Sequence, residues 1–419
     1  MIRTRLAYNL LLFLLLPYAL FHLLWRGRRQ PGYLRHLGER FGFYRVSAAR
    51  PVIWLHAVSV GETRAAAPLV RRLLERYPGH QVLLTHTTPT GREASRELFG
   101  DSVLRCYLPY DFPFAVRRFL RHFAPSVGLL METEIWFNLI RRCKRNGVPL
   151  LLVNARLSER SARRYARFGG LTRQALGELA AVAAQTEADA RRLTGLGAGT
   201  VSVMGNLKFD VTPPDAALAS GKQLRELFGA ERPVFLAAST RDGEEELVLD
   251  ALARTGVPGL LALIVPRHPQ RFDQVAALLQ RRGIAFQRRS AKRPVAAETR
   301  AVLGDSMGEM FAYYAACDVA FVGGSLLPYG GQNLIEACAV GKPVLIGPHT
   351  FNFAEATRLA LEAGAALRVE DARGLGQALG GLLRDRARMQ AMSAAGLRFS
   401  REHRGATERI VELIGRVLG

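Results

Sequence analysis

The fold is decided by residues 317–348, which read CDVAFVGGSLLPYGGQNLIEACAVGKPVLIGP. The pattern predicts an apolar strand over 319–322, a glycine-rich loop, a short helix that begins near Asn333, and a second strand over 343–346. Glycine lets the backbone adopt positive φ and approach a ligand closely, and a helix N-terminus suits a phosphate. Glu336, one turn into the helix, is near enough to accept hydrogen bonds from a ribose. The stretch predicts a nucleotide site at the carboxyl end of a parallel sheet, with a ligand-free βα turn as the alternative.

The composition bounds the class of protein. A chain of 419 residues predicts two or three domains. Its net charge of +22, from 58 Lys+Arg against 36 Asp+Glu, favours anionic partners such as nucleic acid, acidic lipid or a phosphorylated substrate. Basic residues are not interleaved with aromatic ones, which argues against a nucleic-acid groove. Four scattered cysteines without a CxxC pair argue against a disulfide framework or a zinc site.

Residues 6–25, LAYNLLLFLLLPYALFHLLW, predict an N-terminal membrane anchor. The segment has the roughly 20 apolar residues that a bilayer core requires, and no small-residue cleavage site follows it. Its Asn9, Pro17 and His22 leave open a helix that lies in the interface instead. The basic residues 26–29 predict that the rest of the chain stays in the cytoplasm.

Two similar halves follow the anchor. Apolar runs that predict buried strands lie at 52–55, 82–85, 127–131, 150–153 and 181–184 in the first half. They lie at 233–238, 260–265, 301–303, 319–322 and 343–346 in the second. Helical patterns intervene, such as 65–77 and 114–122, and 384–418 is helical. We therefore predict an α/β protein of two Rossmann-like doubly wound domains, 31–212 and 213–419, which face each other across a cleft.

Acidic side chains follow two strands of the first half. Glu62 lies in the loop after strand 52–55, where it is a candidate general base or, alternatively, a carboxylate that the dipole of the next helix favours. Glu132 and Glu134 come directly after strand 127–131. The carboxyl ends of parallel strands share one edge of a sheet, so these groups should lie near one another.

Cationic side chains also follow strands. Lys208 comes after a short strand at 201–204, and Arg267 and His268 come after strand 260–265. Arginine suits bidentate phosphate contact, and lysine offers a compact charge. A solvated surface charge is the alternative for both, and a structural role is favoured for His268.

Eleven segments together carry a family resemblance. They are SVGET (59–63), PTGRE (89–93), LPYDFP (108–113), METEIW (131–136), NARLSERS (154–161), GNLKFD (205–210), PRHPQRF (266–272), GDSMGE (304–309), FVGGS (321–325), GGQNLIEA (330–337) and GPHTFNF (347–353). With them the chain resembles the 3-deoxy-D-manno-octulosonic acid (Kdo) transferases of lipopolysaccharide synthesis. The resemblance covers nearly the whole chain, with two departures: Phe137 where the family usually has proline, and Gln332 where histidine is common.

The resemblance implies a GT-B glycosyltransferase that uses no metal or other cofactor and inverts the donor's anomeric centre. Residues 213–419 would bind the donor CMP-Kdo, and residues 31–212 would bind the acceptor lipid IVA, a tetraacyldisaccharide bisphosphate, which is modified at its 6′-hydroxyl. Glu62 would be the proton acceptor, and Glu132 and Lys208 would stabilise the transition state. The CMP-binding positions that it implies are Pro266, Arg267, Gly308, Glu309, Met310, Asn333, Leu334, Ile335 and Glu336.

The resemblance also places the protein on the cytoplasmic face of the inner membrane, with no nucleic acid and no obligate protein partner. Two other functions remain alternatives. One is a GT-B transferase that uses a UDP-sugar. The other is a membrane-bound protein without catalytic activity, whose basic face binds nucleic acid or anionic lipid.

Overall fold

A computed structural model describes residues 4–419, which form two compact units. Unit 1 comprises the chain up to Asp210 together with Arg404–Gly419, and unit 2 comprises Val211–His403. Each unit is built on a parallel sheet of seven strands. The chain therefore leaves unit 1 once, completes unit 2, and returns.

The sheet of unit 1 has the order β3-β2-β1-β4-β5-β6-β7. Its strands are β1 Val52–His56, β2 Gln81–His86, β3 Leu104–Tyr107, β4 Val127–Met131, β5 Leu150–Ala155, β6 Ala181–Ala184 and β7 Val201–Val203. β1, β4, β5 and β6 are buried along their whole length, because helices cover both faces of a sheet of this kind.

The helices of unit 1 that precede β7 in the sequence are α1 Arg5–Arg29, α2 Val60–Ala65, α3 Ala67–Arg76, α4 Pro89–Phe99, α5 Pro113–Phe123, α6 Phe137–Arg145, α7 Glu159–Ala166, α8 Gly170–Gly177 and α9 Glu187–Gly195. Short 3₁₀ turns lie at Pro31–Leu34, Leu37–Phe41, Gly100–Ser102 and Leu207–Phe209. The helix predicted over 65–77 is interrupted at Ala66, since Pro68 in the first turn of α3 has no N–H to continue the preceding helix.

Unit 2 has the sheet order β10-β11-β9-β8-β12-β13-β14. Its strands are β8 Val234–Thr240, β9 Leu261–Pro266, β10 Phe286–Arg288, β11 Ala301–Leu303, β12 Val319–Val322, β13 Val344–Ile346 and β14 Ala366–Arg368. Its helices are α10 Asp215–Phe228, α11 Glu244–Leu252, α12 Phe272–Arg281, α13 Met310–Ala316, α14 Ile335–Ala339, α15 Ala354–Glu362, α16 Ala372–Arg384 and α17 Arg386–Glu402, with 3₁₀ turns at Pro269–Arg271 and Arg289–Ala291. Every strand pair in both sheets is parallel, which confirms the predicted doubly wound α/β fold.

Helix α1 is long and apolar enough to cross a membrane, and it is mostly exposed. It extends the predicted segment 6–25 at both ends, with the Thr4 side chain as its N-cap. Its first turns contact the body of unit 1: the Tyr8 hydroxyl donates to the Asp111 carboxylate at 2.9 Å, and the Asn138 side-chain amide donates to Asn9 Oδ1 at 2.7 Å.

The last helix, α18 Ala406–Leu418, belongs to unit 1, so the prediction that all of 213–419 forms one domain is wrong for these residues. The buried side chains of Ile410 and Ile414 join the core around β1 and β4. Asp210 is the last residue of the first segment of unit 1. Its carboxylate accepts a hydrogen bond from the Gly405 N–H at 2.6 Å and so caps the N-terminus of α18.

Candidate active site

The strand order of unit 1 reverses between β1 and β4. Ligands of doubly wound sheets bind in the crevice outside the carboxyl ends of the strands at such a reversal. Glu62 follows β1 and Glu132 follows β4, and the two strands pair directly, with His56 opposite Leu130. The structure therefore brings the two predicted carboxylates to the same switch point.

Glu62 is held by the turn from β1 into α2. The helix begins at Val60, and the Ser59 side chain is its N-cap. Glu62 Oε2 accepts a hydrogen bond from the Val58 N–H at 2.7 Å, and Oε1 accepts one from the Ser59 hydroxyl at 3.3 Å. Glu62 thus does occupy the helix N-terminal position, and that position fixes its carboxylate at the switch point.

The surroundings of Glu62 favour its protonated form. Burial, together with the negative charges of Glu132 and Glu134, raises the pKa of Glu62 to about 7, while the hydrogen bonds from Val58 and Ser59 oppose the shift. A carboxyl group with a pKa near neutrality can both accept and release a proton at working pH. The electrostatics therefore suit Glu62 to general-base chemistry.

Glu132 occupies a strained position on the chain. Its φ is +56°, in the left-handed region that residues with a side chain rarely adopt, and its N–H donates to the Val153 carbonyl at 3.0 Å. Strain of this kind concentrates at functional sites, where the surrounding structure maintains it. Nearby, Glu134 accepts a hydrogen bond from the Trp136 indole at 2.8 Å, and burial raises its pKa.

Two histidines at this edge were not predicted as site residues. His56 ends β1 and His86 ends β2, and burial lowers their pKa values to about 3 and about 4. Their Nδ1 atoms bond to backbone carbonyls of Thr85 and Ala57, at 3.0 and 2.9 Å. Both Nε2 atoms are buried and have no hydrogen-bond partner within residues 4–419. The feature of the sequence that could have identified them is their position as the last residue of an apolar run.

Lys208 follows β7, which is an edge strand of the sheet. The 3₁₀ turn that contains Lys208 nevertheless contacts β5, an interior strand of the same sheet. The Leu207 N–H donates to Asn154 Oδ1 at 3.0 Å. Asn154, with φ +53°, is the second-to-last residue of β5, which lies two strands inward from β7. Gln185 bridges the two segments, since it donates to the Asn154 carbonyl and accepts from the Asn206 amide, each at 2.9 Å. β5 is adjacent to β4, so this amide network brings the Lys208 turn to the strand beside Glu132. Sequence reasoning did not identify the role of Asn154 or Gln185.

In unit 2 the strand order reverses between β8 and β12. Arg267, directly after the neighbouring strand β9, donates its N–H to the Thr240 carbonyl at the end of β8, at 3.0 Å. Glu336 receives a hydrogen bond from the Asn333 side chain at 3.1 Å. Burial raises the pKa of Glu336, whereas the Asn333 bond and the positive charge of Arg267 lower it. The predicted positions Arg267, Asn333 and Glu336 are therefore close together.

The helix of this loop begins two residues later than predicted. α14 begins at Ile335 and has five residues, so Glu336 lies in its first turn and Asn333 and Leu334 precede it. A macrodipole grows with the number of aligned peptide units, so this helix offers little attraction for a phosphate. Arg267 is the stronger candidate for contact with a phosphate.

The glycines of the loop meet two different requirements. Gly324, Gly330 and Gly331 have φ of +69°, +92° and +74°, as predicted for this loop. Gly323 does not have positive φ; a Cβ there would lie 2.7 Å from the Ser239 carbonyl oxygen, so close packing on β8 requires glycine.

Glu244 organises the same loop, and sequence reasoning missed it. Its fully buried carboxylate accepts hydrogen bonds from the N–H groups of Ser325 and Leu326 at 3.0 Å and of Arg241 at 2.8 Å, and from that of Gly324. One side chain at the start of α11 thus joins the ends of β8 and β12 across the switch point. The feature of the sequence that could have identified Glu244 is an acidic residue soon after a predicted strand, as at Glu62.

The remaining predicted CMP positions are near the end of two strands. Pro266 ends β9. Gly308, with φ +82°, and Glu309 lie between β11 and α13, and Met310 is the first residue of α13. Glu309 forms an ion pair with Arg289 at 3.0 Å, and β11 pairs with β9. These residues therefore share the edge of the sheet that carries Arg267.

Comparison with known proteins agrees with this arrangement. The sequence profile of the 3-deoxy-D-manno-octulosonic-acid transferase (Kdo transferase) family matches residues 35–211. The chain is 48% identical to the 3-deoxy-D-manno-octulosonic acid transferase of Bordetella pertussis over 94% of this chain and 95% of that protein. It is 40% identical to the enzyme of the same name from Haemophilus influenzae, over 92% of each chain.

Solved structures with low sequence identity to this chain are similar to it, and that similarity supports the fold only. The UDP-GlcNAc 2-epimerase of Neisseria meningitidis, bound to UDP-GlcNAc, is similar with a TM-score of 0.58 and 17% identity, over 87% of this chain and 100% of that chain. HepE of Anabaena, in complex with UDP, has a TM-score of 0.56 and 14% identity, over 87% and 100%. The two-domain GT-B architecture is thereby confirmed, and the identities over nearly full length place this chain in the 3-deoxy-D-manno-octulosonic acid transferase family, which comprises glycosyltransferases of lipopolysaccharide biosynthesis.

Proposed function

We propose that the protein transfers Kdo from CMP-Kdo to the 6′-hydroxyl of lipid IVA, with inversion at the anomeric carbon and without a metal ion. The single observation that carries the proposal is the state of Glu62, a carboxylate fixed at the switch point of unit 1 with a pKa raised to about 7. A hydroxyl acceptor must lose a proton as it attacks, and a base with this pKa is suited to take it.

In the proposed reaction, Glu62 accepts the proton of the acceptor hydroxyl as its oxygen bonds to C2 of Kdo. The bond from C2 to the phosphate oxygen breaks, and CMP leaves with the electron pair. Lys208 and Glu132 act at the developing transition state in unit 1. In unit 2, Arg267 faces the phosphate of CMP, and Asn333 and Glu336 hold the nucleoside, with Pro266, Gly308–Met310, Leu334 and Ile335 in the surrounding wall. Positive side chains that balance the leaving group supply the stabilisation that a metal would otherwise give.

Helix α1 supports a membrane location for this reaction. Its exposed apolar side chains include Leu6, Leu10, Leu14 and Phe21, which recur along one side of the helix. Basic residues Arg26, Arg28 and Arg29 follow in its last turn. We propose that α1 anchors the protein at the cytoplasmic face of the inner membrane, where a lipid acceptor lies, and that the net charge of +22 attracts anionic headgroups.

The proposal is tested by reconstitution of the full chain with CMP-Kdo and lipid IVA, followed by mass spectrometry of the lipid product. Addition of Kdo at the 6′-position by the wild type, and its loss in a folded Glu62→Ala variant, is the expected result. Turnover near the wild-type rate in Glu62→Ala would refute the base assignment.

A thermal-shift comparison of CMP with UDP tests the donor. Preferential stabilisation by CMP is expected, and it should weaken in Arg267→Ala. Stabilisation by UDP alone would favour the alternative, a transferase that uses a UDP-sugar.

A further inference from the structure

An apolar groove of about 510 Å³ lies between α1 and the body of unit 1. Leu12, Leu16, Ala19 and Leu23 of α1 line one wall, and Phe112 and Trp136 line the other. The volume is within the range of about 300–1,000 Å³ that is typical of ligand pockets. An apolar groove of this size suits a flexible hydrocarbon chain.

A buried arginine lines the same groove. Arg40 is 3% exposed, and its Nη2 donates to the Thr87 carbonyl at 3.1 Å. Its Nε is buried without a hydrogen-bond partner, and among the described residues no carboxylate lies within 4.0 Å of its guanidinium nitrogens. The guanidinium instead stacks on the Tyr107 ring, 4.3 Å from its centroid. A buried charge without a counterion is costly, so an anionic group in the groove would complete the site.

The carboxylate that also lines the groove does not serve as that counterion. Asp111 accepts hydrogen bonds from the Tyr8 hydroxyl at 2.9 Å and from the N–H groups of Asn138 and Leu139 at 2.9 and 2.8 Å. Its oxygens are therefore committed to the contact between α1 and α6. Arg40 remains available to a phosphate.

The groove leads to the proposed base. Thr88, which lines the groove, donates its hydroxyl to the Val58 carbonyl at 3.0 Å. The N–H of the same residue, Val58, holds Glu62 Oε2 at 2.7 Å. Trp136 lines the groove and bonds to Glu134, whose charge helps to raise the pKa of Glu62. A molecule in the groove thus contacts the residues that position the carboxylate.

We propose that this groove binds one acyl chain of the lipid acceptor, with Arg40 paired to an acceptor phosphate, so that the sugar hydroxyl is presented to Glu62. The occupant must be apolar along α1 and anionic at Arg40, and an acylated, phosphorylated disaccharide is both. The inference rests on the proposed function for the identity of the acceptor. It assigns α1 a second role, as one wall of the acceptor site.

The first test fills the groove. Ala19→Trp places a large side chain in the wall, whereas Ala219→Trp, at an exposed position of α10, is the matched control. With lipid IVA, Ala19→Trp should raise KM about tenfold or more, since the lost burial of about two methylene groups is enough for such a change. With a disaccharide bisphosphate that lacks acyl chains, kcat/KM should be unchanged, and Ala219→Trp should match the wild type on both. Equal effects of Ala19→Trp on both acceptors, or none, would overturn the proposal.

The second test addresses the phosphate. Arg40→Met removes the charge at similar length, and Arg40→Lys keeps it. Arg40→Met should raise KM for lipid IVA by about tenfold or more, with partial rescue by Arg40→Lys. The loss should shrink for an acceptor without phosphates. A loss that is the same for both acceptors would show that Arg40 is structural only.

A binding measurement separates this inference from the proposed transfer reaction. In a Trp25→Phe background, lipid IVA with a brominated acyl chain should quench Trp136 fluorescence, and Trp136→Phe should abolish the quenching. Vesicles of brominated phosphatidylglycerol should quench it less, and unlabelled lipid IVA should relieve what quenching they cause. Quenching by phosphatidylglycerol that lipid IVA does not relieve would assign the groove to bulk lipid. Because this readout needs no donor, it remains informative if transfer fails.

Discussion

The Val58 N–H and the Glu62 carboxylate are joined by a hydrogen bond of 2.7 Å, between a donor in the turn after β1 and an acceptor in the first turn of α2. The carboxylate is thus fixed by backbone atoms on one side of the turn. Its second oxygen contacts the Ser59 hydroxyl at 3.3 Å. A base that is already oriented before the substrate arrives spares the reaction the cost of ordering it.

Replacement of Glu62 by Gln separates its two roles. The amide oxygen can still accept from Val58, so the free energy of unfolding should fall by less than about 1 kcal/mol. The amide is not a base, so kcat should fall about 10²–10⁴-fold. Steady-state transfer assays and thermal unfolding check the two effects.

A matched control for this variant is Glu187→Gln, which also removes a carboxylate from the first turn of a helix, α9. It should leave kcat unchanged. Loss of activity in both variants would point to the helix ends and not to a base.

The pH dependence of transfer should reflect the carboxylates around Glu62. The base must be ionised, so kcat/KM should fall as the pH drops through about 7, the raised pKa of Glu62. The charge of Glu134 contributes to that shift, so Glu134→Gln should move the acid limb to lower pH. Glu159→Gln, on the exposed first turn of α7, should leave it in place. A limb that stays unchanged or moves upward in Glu134→Gln would contradict the assignment.

Glu244→Gln should loosen the glycine-rich loop of unit 2. One buried N–H of the loop would face an amide NH₂ in place of a carboxylate oxygen, at a cost of about 1–3 kcal/mol. We expect a lower Tm and weaker protection by CMP. Glu246→Gln, an exposed position in the same turn of α11, is the control. Unaltered CMP binding in Glu244→Gln would show that the loop does not depend on this carboxylate.

His86 should make the folded protein sensitive to acid. Burial lowers its pKa from 6.5 to about 4, so the folded state disfavours the charged ring that the unfolded chain readily forms. Its contribution to stability is present above pH 6.5 and is lost as the pH falls through about 4. Glu62 and Asp111, whose pKa values are raised to about 7 and about 6, act in the opposite direction, so only a difference isolates the histidine.

The variant His86→Asn keeps a polar atom near the Ala57 carbonyl and removes the titration. Between pH 6.5 and pH 4, its Tm should decline less steeply than that of the wild type. Parallel curves would show that His86 does not titrate on unfolding in this range.

The interior strands could be predicted because a strand that is buried on both faces of the sheet has a continuous run of apolar residues. The predicted limits 127–131, 181–184, 301–303 and 319–322 agree with β4, β6, β11 and β12. The strands that were missed, β3, β10 and β14, lie at the edges of the sheets. Each contains an arginine and is only partly buried, so none presents a continuous apolar run.

The position of the candidate site could be predicted, but its internal support could not. Carboxylates at strand ends are visible in the sequence, and Glu62 and Glu132 do follow adjacent strands. The contact of Glu244 with Leu326 joins residues 82 positions apart, and that of Asn154 with Leu207 joins residues 53 apart. No local periodicity records such pairs, because they depend on which strands become neighbours.

The return of α18 to unit 1 constrains how this chain can be recombined. Exchange of unit 2 with that of a relative requires two junctions, one after Asp210 and one after His403. A chimera with a single junction would carry a foreign α18, whose Ile410 and Ile414 must fit the core around β1 and β4. Successful exchanges of unit 2 should therefore be those that graft 211–403 as an insert and keep both ends of the recipient.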